Sequence, residues 1–357
     1  VRVELLTMDG GNGTMSACAA LAEALSRRGA SCHTTDLMRE ASGLGHILAR
    51  AYNLLLSTDL GLASAYMGVA HAMPIDRVRA FNELSGARVM SLLLETRPDL
   101  VVIVSPWLSG MVFTALGAMH SRTPRVATVV VDLDEGAPRS WLDDRADLTV
   151  LPTRECADHL LRDHDGDART EVFGMPVHRE FCADLPSREE AKRRLGLVGR
   201  TVTVLGGREG GMFNLRLLEN LRASDLGCEL VIQCGANDRL RRRAAAMDGV
   251  RALGLVPSMR DLMLASDVVV TKPGALTVAE LVTLRSRFVL NAHPAVMPQE
   301  RGNVQFVKRH RLAPVCTDPG ELPELVSSVL RQERPVASVD IAATEAIADR
   351  LVGLVGG

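Results

Sequence analysis

Aromatic residues are scarce in this chain: 2 Trp, 2 Tyr and 7 Phe among 357 residues. Stacking platforms for single-stranded nucleic acid need such side chains, so that class is disfavoured. An excess of one charge is missing too. With 41 Lys and Arg against 43 Asp and Glu, the formal net charge is -2, and the basic bias of nucleic-acid-binding domains is absent. No nucleic-acid partner is expected. The cysteines, Cys18, Cys32, Cys156, Cys182, Cys228, Cys234 and Cys316, include no C-x-x-C pair. That spacing argues against a structural zinc site and for free thiols in a reducing compartment. No apolar run reaches the ~20 residues of a spanning helix; the longest uncharged one is Leu60–Ile75. No signal-peptide pattern is visible, and the sequence opens on the strand-like run Val3–Met8 without an initiator Met, so a short leader ahead of it is expected. The expected location is cytoplasmic, with peripheral attachment at the inner face of the membrane as the further option.

What is present is apolar material in quantity. Hydrophobic residues make up 47% of the chain and charged ones 24%, enough for large cores under a solvated surface; the length suggests two domains. Nearly all-apolar runs alternate with helix-period segments. In the first half the strand candidates are Val3–Met8, Leu100–Ser105, Val126–Asp132 and Thr149–Leu151, with a helix near Ser16–Arg28. In the second half they are Thr201–Leu205, Glu229–Cys234, Val268–Thr271 and Arg287–Asn291. Helical segments fall near Phe213–Arg222, Asp238–Met247, Met259–Ala265 and Thr277–Leu284. Strands without polar alternation belong in parallel sheets covered on both faces, which gives two doubly wound α/β domains. The boundary is placed within 180–198, in the stretch Pro176–Arg200, a linker plus connecting helix. The domains are then 1–182 and 183–357, with a last helix, about 338–355, packing back on the first. The segment Leu37–Met73, apolar and poor in charge, reads as core helices or as an amphipathic surface for an apolar acceptor; His46 and His71 within it read as packed or partly exposed side chains.

Four segments carry candidate chemistry. Thr271-Lys-Pro-Gly-Ala-Leu-Thr-Val-Ala-Glu280 follows an apolar strand and enters a helix. Gly274 permits close backbone approach, and the amides near Ala275–Thr277 form an anion site at the helix start. Glu280 lies about one turn on, where two carboxylate oxygens suit a vicinal diol. Gly206-Gly-Arg-Glu-Gly-Gly211 follows Thr201–Leu205; its backbone could wrap a ligand and Arg208 could counter a diphosphate. It matches neither a P-loop nor a dinucleotide fingerprint. Asp9-Gly-Gly-Asn-Gly13 is its counterpart in the first half, and Pro298-Gln-Glu-Arg-Gly-Asn303 is a polar loop after Arg287–Asn291. A plain strand–turn–helix or polar loop is the alternative for each.

Taken together, these residues resemble glycosyltransferase family 28, in its branch of monogalactosyldiacylglycerol synthases and bacterial diacylglycerol glucosyltransferases. The run T-K-x-G-x-x-T-x-A-E is similar to Thr271–Glu280, Q-E-x-x-N to Gln299–Asn303, and G-G-x-E-G to Gly206–Gly210. Gly174–Val177 with Phe181, and Thr128–Leu133 with Trp141, resemble further motifs of that branch. The peptidoglycan N-acetylglucosaminyltransferase that completes the lipid-linked disaccharide is a more distant likeness, through Gly274–Glu280.

The resemblance implies a GT-B fold, two Rossmann-like domains facing a central cleft, with the UDP-sugar in the second and the acceptor in the first. It implies that Gly206, Gly207, Arg208, Glu209 and Gly210, with Lys272, Gly274, Ala275, Leu276 and Thr277, hold the diphosphate side. Glu280 would take the ribose, the backbone at Leu255 and Val256 the uracil edge, and Gln299, Glu300 and Asn303 the sugar end, with Gln299 and Glu300 on its hydroxyls. The loop Gly10, Gly11, Asn12 and Gly13 would face the acceptor. The implied activity is an inverting, metal-independent transfer of a hexose or N-acetylhexosamine to a lipid or other apolar acceptor, with no cofactor beyond the donor. The family's histidines are missing at Gly13, at Ser105 before Pro106 and within Asp134–Ser140. A carboxylate then becomes the candidate base: Asp9 and Asp132 first, with Asp134 and Glu135 beside them. An acceptor that is already anionic would need no strong base. A non-catalytic sugar-nucleotide-binding homologue, or a UDP-sugar 2-epimerase on the same fold, are the alternative functions.

Overall fold

The computed structural model describes residues 1–8, 13–37, 79–119, 123–208, 210–211, 214–333 and 339–356. Asp9, Gly10, Gly11, Asn12 and Glu209, and the apolar segment from residue 38 to Met73 with His46 and His71, lie outside them. The described residues form two compact units, 1–179 with 341–356 and 180–333 with 339–340.

The first unit runs β1 (Arg2–Thr7), α1 (Gly13–Arg27), β2 (Ser31–Asp36), α2 (Arg79–Thr96), β3 (Leu100–Ile103), α3 (Ser109–Ala118), β4 (Arg125–Val129), β5 (Leu148–Leu151), α4 (Arg154–Leu161) and β6 (Thr170–Val172). Its six strands are all parallel, in the order β2-β1-β3-β4-β5-β6. β3 and β5 are buried along their whole length, as apolar strands covered on both faces must be. On one face Leu6, Val101, Ile103 and Val126 pack with Val89, Leu93 and Val112 of the helices.

The second unit opens with α5 (Arg188–Leu195), inside the stretch expected as linker. Ser187 caps it, accepting from the Glu190 amide at 3.1 Å, and Gly196 ends it at φ 61°. There follow β7 (Thr201–Leu205), α6 (Asn214–Arg222), β8 (Glu229–Gln233), α7 (Asp238–Ala245), β9 (Val250–Leu253), α8 (Met259–Ala265), β10 (Val268–Thr271), α9 (Ala275–Thr283), β11 (Phe288–Asn291), α10 (Arg301–Arg309), β12 (Val315–Cys316) and α11 (Leu322–Arg331). The order is β12-β11-β10-β7-β8-β9, again all parallel. The helix expected at Thr277–Leu284 begins two residues earlier, directly at the strand turn, and the one expected at Ser16–Arg28 begins at Gly13.

After Asp340 the chain returns to the first unit, where α12 (Thr344–Gly353) lies on α1. Glu345 pairs with Arg27 and Arg28, Asp349 with Arg28, and Arg350 makes a two-pronged bond to Glu171 at 2.7–3.0 Å.

The amino edge of the second sheet is tied by one aspartate. Asp267, just ahead of β10, accepts from the Thr201 amide at 2.8 Å and pairs with Arg188, with Lys192 at 3.3 Å and with Arg287 at 3.5 Å. Burial alone would raise its pKa, but the Thr201 amide and the Arg188 charge outweigh it and leave the carboxyl below its usual range. Asp267→Ala strands these cations and should cost about 3 kcal/mol in denaturant unfolding. The gap to wild type should hold above an ordinary aspartate's 3.8 and close as pH falls further, because the native carboxylate then takes its proton. An unchanged midpoint at neutral pH would remove Asp267 as the tie.

Candidate functional site

In the second sheet the chain winds outward from β7 through β8 and β9, then jumps back to place β10 on β7's other side. The crevice between the carboxyl ends of β7 and β10 is therefore the topological switch point, where open α/β sheets bind ligands. The loops leaving these two strands are Gly206–Gly211 and Thr271–Gly274. The two segments with the clearest sequence signal thus meet through adjacent strands, with Val202 opposite Val268 and Val204 opposite Val270.

The glycine loop is a packed object. The Gly206 amide donates to the Gln233 carbonyl at 2.8 Å, the Ala236 amide to the Arg208 carbonyl at 2.7 Å, and the Asn237 side-chain amide to the Gly210 carbonyl at 2.6 Å. A Cβ on Gly206 would stand 2.5 Å from the Gln233 carbonyl oxygen, and one on Gly210 2.1 Å from that of Cys234. From the other side, a Cβ on Gly235 would stand 2.1 Å from the Arg208 oxygen. These glycines let two loops touch backbone to backbone. A Cβ on Gly207, at φ 72°, would meet nothing within 4 Å among the described residues. Arg208 is exposed beside it.

Across the crevice, α9 starts at Gly274 with no side-chain cap and no acidic residue in its first turn. The amides of Ala275, Leu276 and Thr277 are left to an external acceptor, with the positive end of the helix behind them. A Cβ on Gly274 would meet, among the described residues, only the Thr277 hydroxyl at 3.8 Å and the Glu300 carboxylate at 4.0 Å. Lys272 Nζ donates to Glu300 Oε1 at 2.5 Å, and Asn303 Nδ2 to the Pro273 carbonyl at 2.8 Å. Gln299 sits in the same turn as Glu300. One turn into α9, Glu280 keeps partial exposure. Its carboxyl has no hydrogen-bond partner among the described residues and is pushed up to about 8, first by burial and then by the Glu180 charge. Leu255 and Val256 follow β9 at the same edge, Leu255 being 70% exposed. The adjoining Gly254 faces the Gly235 carbonyl, so this segment abuts the crossing loops.

In the first unit, Asp132 is half-buried beyond the carboxyl end of β4, and its Oδ2 accepts from the indole N–H of buried Trp141 at 2.7 Å. Asp134 is fully buried and accepts from the Glu135 amide at 2.8 Å, whereas the Glu135 side chain is exposed. Burial, then the charges of Asp132 and Asp134, push the nearby Cys156 thiol well above its ordinary value. Gly13 opens α1, and a Cβ on it would meet nothing within 4 Å among the described residues.

A family model for monogalactosyldiacylglycerol synthase matches residues 14–177, and one for the glycosyltransferase family 28 C-terminal domain matches residues 201–343. The chain belongs to glycosyltransferase family 28. It is 25% identical over 295 residues to a probable chloroplastic monogalactosyldiacylglycerol synthase of Nicotiana tabacum, an alignment covering 78% of this chain and 54% of the tobacco protein. The chain thus spans about half the length of that relative. It is 24% identical over 343 residues to the processive diacylglycerol beta-glucosyltransferase of Bacillus subtilis, covering 93% of this chain and 87% of that one. Among solved structures, Acinetobacter baumannii MurG superposes with a TM-score of 0.61 at 16% identity, over 99% of both chains. At that identity the likeness is one of fold, and the fold is GT-B.

In this family 28 chain the sequence reading passed over the partner loop Cys234–Asn237 and over Glu180. The first carries a readable signal, a glycine and a capping asparagine directly after a strand. Two glycine substitutions separate the structural from the open positions. Gly235→Ala, at φ 58° and against backbone, should destabilise the unit by more than about 1 kcal/mol. Gly274→Ala, at φ -70°, meets only ordinary contacts among the described residues and should leave the thermal midpoint in place. Equal thermal behaviour of the two variants would contradict this division.

Proposed function

We propose that this chain transfers a hexose or N-acetylhexosamine from a UDP-sugar to a diacylglycerol-like lipid or other apolar acceptor, with inversion and with neither metal nor cofactor. One observation carries the reading: an uncapped helix start and a glycine loop leave adjacent strands at the switch point, and one turn behind lies a carboxylate with no hydrogen-bond partner among the described residues. The diphosphate would lie on the amides of Ala275–Thr277 and beside Gly207, with Arg208 and Lys272 adding charge. Glu280 would accept from the two ribose hydroxyls, the backbone at Leu255 and Val256 would read the base, and Gln299 would meet the sugar. Family membership and the printed activities of the tobacco and Bacillus relatives support the same class of donor and acceptor.

The acceptor hydroxyl would attack the anomeric carbon from the side opposite UDP. Its proton passes to a carboxylate as the new C–O bond forms and the bond to UDP breaks. Asp132 suits that role because the Trp141 indole fixes one of its oxygens, and Asp9 remains the second candidate. The acceptor chemistry would bring the protein to a membrane surface from the cytoplasmic side. Among the described residues no helix is long and apolar enough to cross one.

Calorimetric titration with UDP and a panel of UDP-sugars, followed by turnover with lipid acceptors, tests the reading. Transfer to an acceptor supports it, product still joined to UDP points to an epimerase, and binding without turnover points to a non-catalytic homologue. Glu280→Gln should weaken UDP about tenfold or more, the loss of charge-assisted bonds worth about 1.5–3 kcal/mol each. Because the free carboxyl holds its proton up to about 8 and only the ionised form is a pure acceptor, binding should release a proton. UDP affinity should then rise with pH below 8, by at most about tenfold per unit, and flatten in the variant. In the free protein the sign is opposite: stability is full below the ordinary glutamate value of 4.5 and falls as pH rises through 8. Asp132→Asn should lower turnover by about 10²–10⁴ with donor affinity intact; full activity there would transfer the role to Asp9.

A further inference from the structure

Gln233, the last residue of β8, carries a buried polar group that the fold leaves unused. It is 4% exposed, and its side-chain oxygen Oε1 accepts no hydrogen bond among the described residues. Its backbone is engaged, the carbonyl taking the Gly206 amide at 2.8 Å. A buried acceptor without a donor is costly, and most such groups in folded proteins find a partner. One left open at the ligand-binding edge of a parallel sheet asks for a donor from outside the fold.

The pleat of the strand fixes the face on which that side chain lies. Ile232 and Cys234, its neighbours in sequence, pack into the core with Leu217 of α6, Leu240 of α7 and Val326 of α11. Gln233 therefore projects to the other face. Thr203 and Arg251 share this face, both being in register with Val231. The Thr203 hydroxyl lies 2.6 Å from that of Ser266, at the end of α8. Arg251 donates to the Leu195 and Gly196 carbonyls at the end of α5, at 2.6 Å each, and Arg194 of α5 pairs with Asp261 of α8 at 3.1 Å. The face of Gln233 is thus the one that α5 and α8 cover. The chain reaches α8 from β9 through residues 254–258, and Leu253, the last residue of β9, stands opposite Gln233. The carboxamide is placed at the start of the segment whose backbone, at Leu255 and Val256, is proposed above to read the base.

We propose that Gln233 reads the nucleobase of the donor. The imide edge of uracil presents one N–H between two carbonyl oxygens, and a carboxamide presents an acceptor beside a donor. Oε1 accepts from uracil N3–H and Nε2 donates to an adjoining carbonyl, while the backbone of Leu255 and Val256 meets the rest of the edge. Gln233 is then a specificity residue, adding a side chain to a contact made otherwise by backbone. This inference rests on the donor-site reading given above.

Calorimetric titrations of the full chain with UDP and with UDP methylated at N3, beside thermal unfolding, test this. The wild-type protein should bind UDP about tenfold or more tightly than the methylated form. Gln233→Met, of similar length but without hydrogen-bonding groups, should weaken UDP about tenfold and change the methylated form little. It should keep or raise the thermal midpoint, because no orphaned oxygen remains buried. Gln233→Asn, which draws the carboxamide back by one methylene, serves if Gln233→Met fails to fold, and should show the same loss of preference for UDP. The proposal is overturned if the wild-type protein binds both ligands alike, if the variants bind UDP as the wild type does, or if they weaken both ligands by the same factor. A purely structural carboxamide would lower the midpoint and leave the ratio of the two affinities unchanged, which overturns it as well. Failure of the wild-type protein to bind UDP at all would instead sink the donor-site reading.

Discussion

Two loops cross at the carboxyl edge of the second sheet with their backbones in contact, and most of the site's geometry depends on that crossing. Gly206 and Gly210 meet the carbonyls of Gln233 and Cys234, and Gly235 meets those of Gly207 and Arg208. No side chain fits between them. The contact is sealed by hydrogen bonds from the Gly206 and Ala236 amides and the Asn237 side chain, so the peptide groups turned inward are satisfied. The remaining loop surface, at Gly207, is presented from a rigid base. Ligand recognition through backbone groups needs that rigidity, because an amide that wanders loses its hydrogen bond.

The opposite wall of the crevice obtains its rigidity differently. The Lys272–Gly274 turn is held from the side, by Lys272 on Glu300 and by Asn303 on Pro273. The helix behind it brings a positive end and no capping side chain. Glu280 has a carboxyl with no hydrogen-bond partner among the described residues, pushed up to about 8 by burial and then by Glu180. In the proposed site, a group so placed would gain more from ligand hydroxyls than a solvated carboxylate would.

How much of this was legible in the sequence follows from where each signal is local. β7 and β10 read with their observed bounds because their apolar runs are punctuated at both ends, by Arg200 and Gly206 and by Asp267 and Lys272. β2 (Ser-Cys-His-Thr-Thr-Asp) and β9 (Val-Arg-Ala-Leu) escaped notice. The first is an edge strand polar in sequence and held by its pairing with β1; the second is a half-exposed edge. α3 is apolar on all sides, so it shows no helical period. At the site, the glycine pattern and the strand–turn–helix were visible, and the resemblance implied a common function for them. Which glycines pack and which stay open was not, since that is decided by the loop after the next strand. The Lys272–Glu300 pair was equally hidden, being a contact between elements that only the order of the sheet brings together.

The second unit divides its labour along the strands. Asp267 and its cations tie the amino ends of β7, β10 and β11, while the glycine crossing and the Lys272–Glu300 pair shape the carboxyl ends. β10 separates them by four residues, roughly 13 Å of strand. At that distance, with no shared partner, changes at the two edges should combine additively. The sheet can therefore be stable at one end and keep uncapped amides and a poorly solvated carboxyl at the other. The first unit lacks this separation, because Asp132, Asp134 and Cys156 crowd one strand end around Trp141. If Asp132 is the base proposed above, it works inside that cluster, with one oxygen already held by the indole.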